Sequence, residues 1–208
     1  MLTYESKLDA DLDWALKEGS IHFDERSAVH QSLHKVAKKL ADLQIPYAVV
    51  GGMALFSHGY RRFTEDVDIL VTPDGLREIQ QKLDGLGCVA PFKCSKLLRD
   101  ADNGVRIKFL VGGQFPGDGK PKPIAFPDPS QGAAEIDGIR YLQLEWLIEL
   151  KLASGMTNPA RLRDLSDVQD LIRILKLPLE LRQKLDDYVR AKYVELWNAI
   201  AEDSRQQS

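Results

Sequence analysis

The hydrophobic positions of this chain change their spacing several times, and each spacing predicts a different element. Across residues 26–43 the apolar side chains recur at helical spacing, which predicts an amphipathic helix. The apolar run Tyr47–Val50 instead predicts a buried strand, and Asp66–Val71 is expected to be the second strand. A short helix is expected at 52–58, directly after the first strand. A longer amphipathic helix is expected at Leu76–Leu86, after a turn that contains proline.

Beyond these elements the pattern predicts a hairpin, a loop and then helices. Asn103-Gly104 is a strong hairpin-turn signal between two expected strands, Cys94–Arg99 and Val105–Val111. The glycine- and proline-rich segment 112–131 predicts an irregular loop, and one short strand is expected at 136–142. The remaining sequence predicts three helices, at 143–155, 161–175 and 179–203.

Composition and charge narrow the class of protein. The formal net charge of −3 gives no global basic footprint, which argues against general DNA binding but allows a local basic patch around an anionic substrate. The two cysteines, Cys88 and Cys94, are too few for a disulfide framework and favour a reduced, cytoplasmic setting. Because the chain contains no long uninterrupted apolar run, we expect neither a signal peptide nor a membrane-spanning helix.

The candidate chemistry lies between Gly51 and Asp68. Glycine backbone N–H groups at the start of a helix can hold phosphate oxygens, because no Cβ blocks the approach. Asp66 and Asp68 are two positions apart on a predicted strand, so their side chains share one face. Adjacent carboxylates repel each other unless a cation lies between them, and Mg²⁺ prefers such oxygen ligands. The alternative is a tight turn with packing glycines beside an exposed aspartate pair, but the joint pattern favours a nucleotide site.

This stretch resembles the signature of the nucleotidyltransferase (polymerase-beta-like) superfamily, in which Gly-Gly or Gly-Ser is followed, after a spacer, by Asp-x-Asp in an apolar strand. Gly51-Gly52 and Asp66-Val67-Asp68 match that signature in order and spacing. The segment Arg62–Asp66 is also similar to the Arg-x-Thr-x-Asp variant of minimal and toxin-type members. Residues 147–153 and 163–168 resemble the paired helical motifs of AbiEii-like toxins of type IV toxin–antitoxin systems.

The resemblance implies both an architecture and a reaction. It implies an α+β fold, with a small mixed β-sheet core and flanking helices in residues 1–142 and a C-terminal helical bundle in residues 143–208. The implied reaction is Mg²⁺-dependent transfer of a nucleoside monophosphate from an NTP to an acceptor hydroxyl. RNA, protein and small molecules are all candidate acceptors, and a cognate antitoxin is an implied partner. The alternative is a catalytically degenerate member that binds nucleotide or a partner protein.

Residue roles follow from the same resemblance. Asp66 and Asp68 are the expected metal ligands and catalytic residues. The expected nucleotide-binding residues are Gly51, Gly52, Arg62, Thr64 and Lys108.

One position departs from the superfamily pattern. A third carboxylate is usually supplied by a later strand, and the best-matching position in this chain is Lys108. Strand alternation places Arg106 and Lys108 on the face opposite the core residues, so two cations stand where a carboxylate is expected. This pattern is compatible with one metal ion plus cationic phosphate contacts, and equally with two solvated strand residues. Asp137 and Asp164 are the candidates for a third carboxylate elsewhere.

The helical half contains two further candidate residues. Lys151 lies at helical spacing from Leu144, Leu147 and Ile148, on the apolar face of its helix. Asp164 lies at the edge of the apolar face of the following helix. The two side chains form either a structural ion pair or part of a site that the helical half completes. The toxin resemblance favours the second alternative, in which both residues are catalytic and Asp167 is the weaker candidate partner.

Two other features are expected to be solvated. His30 and His34 are one helical turn apart, a spacing that can bind a metal but without other ligands indicates a solvent-facing surface. Lys120 and Lys122 belong to the segment 112–131, which we interpret as a solvated connection that could alternatively close over a substrate.

Overall fold

The computed structural model describes residues 3–82, 87–92 and 95–206. The chain forms two compact units. The first is built from the residues up to Ser57, from Arg61–Gly112 and from Asp128–Leu142. The second is built from His58–Tyr60, Gly113–Pro127 and the residues from Gln143 onwards.

Short polar side chains cap the start of every described helix of the first unit except the one that begins at Gly51, directly after a strand. The helices are α1 (Tyr4–Ala10), α2 (Leu12–Phe23), α3 (Ala28–Asp42), α4 (Gly51–Ser57), α5 (Pro73–Gln81) and α6 (Pro129–Gly132). Thr72 accepts a hydrogen bond from the Gly75 N–H, and Pro73 occupies the first helical turn, where its missing N–H costs nothing. The sequence predicts a turn at residues 72–75, but these residues form the cap and first turn of α5, so that prediction is wrong. The last residues of the helix predicted at Leu76–Leu86, 83–86, lie outside the described residues.

A mixed sheet of seven strands forms the centre of the first unit. The strands are β1 (Tyr47–Val50), β2 (Asp66–Val71), β3 (Cys88–Val89), β4 (Leu97–Asp100), β5 (Arg106–Val111), β6 (Ala133–Ile136) and β7 (Ile139–Leu142). Their order is β3-β4-β5-β2-β1-β7-β6. The pairs β2–β5 and β1–β7 are parallel, and the other neighbouring pairs are antiparallel. The predicted α+β class with a small mixed sheet is confirmed.

The strand predicted at 136–142 is confirmed for Ile139–Leu142, which is β7, but residues 136–138 are the end of β6 and the turn of a hairpin that was not predicted. Asp137 and Gly138 both have positive φ, at 49° and 77°, and form the turn that joins β6 to β7. Asp-Gly is a preferred pair for such two-residue turns. The Cys94 end of the predicted hairpin lies outside the described residues, whereas its strands β4 and β5 pair as expected.

Burial follows the predicted periodicity in both kinds of element. In α3, Val29, Leu33, Val36 and Leu40 are buried at helical spacing. In β5, Ile107, Phe109 and Val111 are buried, whereas the alternate residues Arg106 and Lys108 are half-buried and exposed. The two cations of β5 therefore lie on the face away from the core residues, as the alternation predicted.

The second unit is helical. It contains α7 (Leu144–Thr157), α8 (Leu162–Leu175) and α9 (Asp187–Gln206), with 3-10 helices at Pro159–Arg161 and Leu179–Lys184 between them. The single helix predicted at 179–203 is thus two elements, because Leu185 adopts an extended conformation after the 3-10 turn. None of the described helices has the length and apolar character needed to cross a membrane.

The predicted solvated connection is held in place within this unit. The backbone N–H of Phe126 donates to the carbonyl of Gln114, which closes the segment on itself. The Lys122 ammonium donates to the Pro116 carbonyl and to the Asp118 carboxylate, at 2.6 Å each. Its side chain is only 5% exposed, so the prediction of a solvated lysine is wrong at this position.

Candidate active site

The two aspartates of β2 lie beside two cations of β5. In the parallel ladder Asp66 is opposite Arg106, and Asp68 is opposite Lys108. Paired positions of neighbouring strands direct their side chains to the same face, so these four charged residues share one side of the sheet. The place where a third carboxylate was sought is occupied by Arg106 and Lys108.

The glycine pair at the end of β1 allows the acidic residues to approach the backbone. Gly51 has φ +63°, and a Cβ at this position would overlap the Asp68 carboxylate. A Cβ on Gly52 would come within 2.6 Å of the Thr64 hydroxyl. Helix α4 begins at Gly51, directly after the strand, so the two glycines pack against the side chains of Asp68 and Thr64.

Both carboxylate oxygens of Asp66 accept hydrogen bonds. The buried Thr64 hydroxyl donates to Oδ1 at 3.0 Å, and Arg106 Nη2 donates to Oδ2 at 3.1 Å. The Asp66 side chain remains 24% exposed, so it is reachable from solvent. Thr64 thus orients the carboxylate, while Arg106 neutralises its charge. The second contact is an ion pair inside the candidate site.

Helix α1 supplies a carboxylate that sequence reasoning missed. Glu5 Oε2 accepts from Arg99 Nη1 at 2.8 Å, and Glu5 Oε1 lies 3.6 Å from Arg106 Nε. Burial acts to raise the pKa of Glu5, but its hydrogen bonds and the charges of both arginines bring that pKa below its ordinary value. No sequence signal marks Glu5, because its contacts are with strands far along the chain.

A buried pair of histidines, His22 and His30, packs beneath the segment before β2, and His22 is hydrogen-bonded to that segment at Arg62. His22 Nε2 donates to the Arg62 carbonyl at 3.2 Å, and the Ser27 hydroxyl lies between His22 Nδ1 and His30 Nδ1, at 3.1 and 2.9 Å. Burial lowers the pKa of His30 to about 4, with a further contribution from His22. The predicted solvated face is therefore wrong at His30, which packs inside the unit, whereas His34 is exposed.

The donor set fits one divalent cation. Asp66 and Asp68 provide carboxylate oxygens on one face, and Mg²⁺ in proteins is often held by one or two carboxylates together with water and substrate phosphates. Within residues 3–82, 87–92 and 95–206, no group of three or more His, Cys, Asp or Glu side chains is arranged to hold a metal. Neither Asp137 nor Asp164 completes such a group. The described side chains therefore do not provide the three-carboxylate arrangement of a two-metal site.

In the second unit, Lys151 and Asp164 are brought together. Lys151 Nζ lies 3.0 Å from Asp164 Oδ1 and 2.6 Å from Asp167 Oδ2, and all three side chains are buried. Asp167 is therefore at least as close a partner as Asp164, which corrects its weaker rank. Ser154 donates to Asp164 at 2.7 Å, and so does Arg161 at 2.8 Å. Burial alone would raise the pKa of Asp164, but Lys151, Ser154 and Arg161 hold it below its ordinary value.

Comparison with known proteins identifies the fold. No family model and no curated protein sequence matches the chain. The solution structure of the antibiotic-resistance factor ANT(2'')-Ia is similar at a TM-score of 0.53 and 14% identity, covering 85% of this chain and 96% of that one. JHP933 from Helicobacter pylori has a TM-score of 0.48 at 17% identity, covering 86% and 93%. An antigenic nucleotidyltransferase-like protein from Paracoccidioides brasiliensis has a TM-score of 0.43 at 21% identity, covering 69% and 74%.

The predicted α+β fold is confirmed, because the chain shares its fold with the solution structure of ANT(2'')-Ia. The narrower AbiEii-like assignment stays a prediction.

Proposed function

We propose that this protein is a Mg²⁺-dependent nucleotidyltransferase that moves a nucleoside monophosphate from an NTP to an acceptor hydroxyl, with release of pyrophosphate. The observation that carries the proposal is the position of Asp66 and Asp68 on one face of β2, with Asp68 packed against Gly51. Carboxylates two residues apart on a strand, next to a backbone without side chains, suit a metal-bound triphosphate.

In this proposal Asp66 and Asp68 hold the ion. When bound, Mg²⁺ supplies charge neutralisation at the phosphates. Thr64 fixes the rotamer of Asp66 through the hydroxyl contact at 3.0 Å. The backbone at Gly51 and Gly52, Arg62 and the exposed Lys108 bind the anionic oxygens of the nucleotide. Lys108 stands at the strand position where the resemblance implies a third carboxylate, and its positive charge would bind phosphate oxygens rather than a metal ion.

The predicted catalytic roles of Lys151 and Asp164 stay predictions. Their buried contacts with each other and with Asp167 favour the alternative of a structural ion network in the second unit. A buried lysine that is already paired with two aspartates leaves little capacity for a phosphate.

RNA, protein and small-molecule hydroxyls are all acceptors to be tested. The small-molecule class includes antibiotics, because the similar fold of ANT(2'')-Ia belongs to an antibiotic-resistance factor. A toxin role with a cognate antitoxin is supported by the resemblance of residues 147–153 and 163–168 to AbiEii-like toxins, and a cytoplasmic setting by the low cysteine content.

A second candidate function has a specific observation in its favour. The ion pair between Arg106 and Asp66 neutralises one of the two proposed metal ligands, and Lys108 is opposite the other. A catalytically degenerate protein that binds nucleotide, or a partner protein, without turnover is consistent with that arrangement.

Labelled NTPs distinguish the two functions. Purified protein is incubated with Mg²⁺ and each of the four α-labelled NTPs, in the presence of an RNA pool, a cell lysate or an aminoglycoside. An enzyme transfers label, and Asp66→Asn and Asp68→Asn lower transfer by about 100-fold or more. The exposed Asp42→Asn, on α3, serves as the matched control and retains activity. Transfer that persists in both site variants contradicts the proposal, and NTP binding without transfer supports the degenerate alternative.

A further inference from the structure

Arg106 lies between two carboxylates that belong to different elements, Glu5 of α1 and Asp66 of β2. Its Nη2 donates to Asp66 Oδ2 at 3.1 Å, and its Nε lies 3.6 Å from Glu5 Oε1. The first contact is a hydrogen bond, and the second is too long to be one. The guanidinium therefore touches both acidic groups but is hydrogen-bonded to only one of them.

The contact that is too long for a hydrogen bond lies between two buried atoms, Arg106 Nε and Glu5 Oε1. Among the described residues, neither Arg106 Nε nor Glu5 Oε1 has a hydrogen-bond partner, and both atoms are buried. A buried polar atom without a partner raises the free energy of that arrangement, so a small shift of the guanidinium from Asp66 towards Glu5 would satisfy both. Arg106 thus has two available positions that exchange one hydrogen bond for another.

Glu5 is itself held firmly enough to act as the second acceptor. Its Oε2 accepts from Arg99 Nη1 at 2.8 Å. The neighbouring Tyr4 is fully buried, and its hydroxyl donates to Glu18 at 3.2 Å. These contacts fix the start of α1 next to β5, so Glu5 does not need to move to receive Arg106.

The oxygen that accepts from Arg106 is one of those the proposed site offers to a cation. A divalent ion and the guanidinium compete for Asp66 Oδ2, because two cations that bind the same oxygen repel each other. Resting on the function proposed above, we infer that Arg106 competes with the divalent ion for Asp66, and that Glu5 takes up the guanidinium when the ion enters. Arg106 and Glu5 are positioning residues that set how tightly the site binds metal in the absence of nucleotide.

The two single variants should change the affinity for the metal ion in opposite directions. Arg106→Gln removes the competitor, so the metal binds about threefold to tenfold more tightly. Glu5→Gln weakens the alternative acceptor, so Arg106 stays on Asp66 and the metal binds about threefold more weakly. In the double variant the effect of Glu5→Gln disappears, because it acts only through Arg106. A merely structural role for Glu5 has no reason to depend on Arg106 in this way.

The experiment titrates the full-length protein with Mn²⁺ alone and follows free Mn²⁺ by electron paramagnetic resonance. Arg77→Gln, which removes an exposed cation of α5, controls for the change in net charge and leaves the affinity within twofold. Circular dichroism checks that each variant is folded. Should Arg106→Gln fail to fold, Arg106→Lys replaces it. The lysine ammonium is still a cation that can pair with Asp66 or Glu5, so this variant keeps the competition, and Glu5→Gln should still weaken Mn²⁺ binding in that background.

The outcomes separate the inference from the proposed function. If the wild type binds Mn²⁺ and Asp66→Asn abolishes binding, but Arg106→Gln binds no more tightly, only the inference is overturned. The same holds if Glu5→Gln weakens binding equally in the wild type and in the Arg106→Gln background. If neither the wild type nor Arg106→Gln binds Mn²⁺, the inference and the proposed metal site fail together.

Discussion

The carboxylate of Asp68 occupies the space that a side chain on Gly51 would need. Gly51 is the last step from β1 into α4, with φ +63°, and Asp68 is paired with Val50 across the β1–β2 ladder. A glycine is therefore required at position 51 for two reasons: the backbone has a positive φ, and the Asp68 side chain leaves no room for a Cβ. The strand end and the proposed metal ligand are fixed by the same contact.

Gly51→Ala is expected to destabilise the protein by about 2–3 kcal/mol, because alanine is strained at positive φ and its Cβ displaces Asp68. Mn²⁺ affinity should fall at least about tenfold through loss of that ligand. Gly19→Ala in α2 is the control, since a Cβ there meets no atom within 4 Å and alanine favours the helix. Urea unfolding and Mn²⁺ titration measure the two effects. Normal metal binding in Gly51→Ala contradicts the assignment of Asp68.

Thr64→Val is expected to lower activity and metal affinity about fivefold to tenfold. The hydroxyl that donates to Asp66 Oδ1 at 3.0 Å is lost, while the shape of the side chain is nearly kept. A buried hydrogen bond to a charged group is worth about 1–2 kcal/mol. Thr64→Ser keeps the hydroxyl and should retain most of the activity. If the serine and valine variants lose activity equally, packing against Gly52 rather than the hydrogen bond is the important contact.

Lys151→Met is expected to lower the free energy of unfolding by about 3–5 kcal/mol, because it leaves Asp164 and Asp167 buried without their shared cation. Lys38→Met, which breaks an exposed ion pair with Asp42 on α3, should change it by no more than about 0.5 kcal/mol. Denaturant unfolding compares the two variants. A Lys151→Met protein of normal stability that has lost activity would instead support the predicted catalytic role.

Stability should fall as the pH drops from about 6.5 towards 4, partly through His30. Its pKa in the folded protein is about 4, lowered by burial, whereas the unfolded chain binds the proton near pH 6.5. Between these values the unfolded state takes up a proton that the folded state refuses, so protonation favours unfolding. Above pH 6.5 His30 is neutral in both the folded and the unfolded protein, so it no longer makes stability depend on pH.

The unfolding free energies of wild type and His30→Gln, measured from pH 7.5 to 4.5, test this. The wild type should lose about 2 kcal/mol more than the variant over that range. His34→Gln, at an exposed position of the same helix, should follow the wild-type curve. Parallel curves for wild type and His30→Gln would show that His30 titrates normally.

The features that depend on local pattern could be predicted from the sequence. The strands β1 and β2 occur where the apolar runs predicted them, and the alternation of β5 correctly placed Arg106 and Lys108 on the face away from the core. The Asp66–Asp68 pair follows from strand geometry alone. Errors arose where one short signal fits two structures. Thr72-Pro73 suits a turn as well as a helix start. Proline is favoured at the second position of a turn and also in the first turn of a helix.

Long-range contacts could not be predicted. Glu5 contacts Arg106 of β5, and His22 donates to the Arg62 carbonyl before β2, although each pair is far apart in the sequence. A single sequence gives no information about such pairings when no shared periodicity links the residues. The Glu5 contact is also the one that changes the interpretation of Arg106.

Strand β2 is hydrogen-bonded along its length to β5 and over four residues to β1. Asp66 and Asp68 therefore cannot separate from each other by the fraying of a terminus or the opening of a loop. The distance between the two carboxylates is maintained by the same cooperative unit that keeps the sheet folded. The amide protons of β2 should accordingly be among the last to exchange with solvent, and sequence changes in the surrounding loops can alter what binds beside the acidic pair without altering the pair itself.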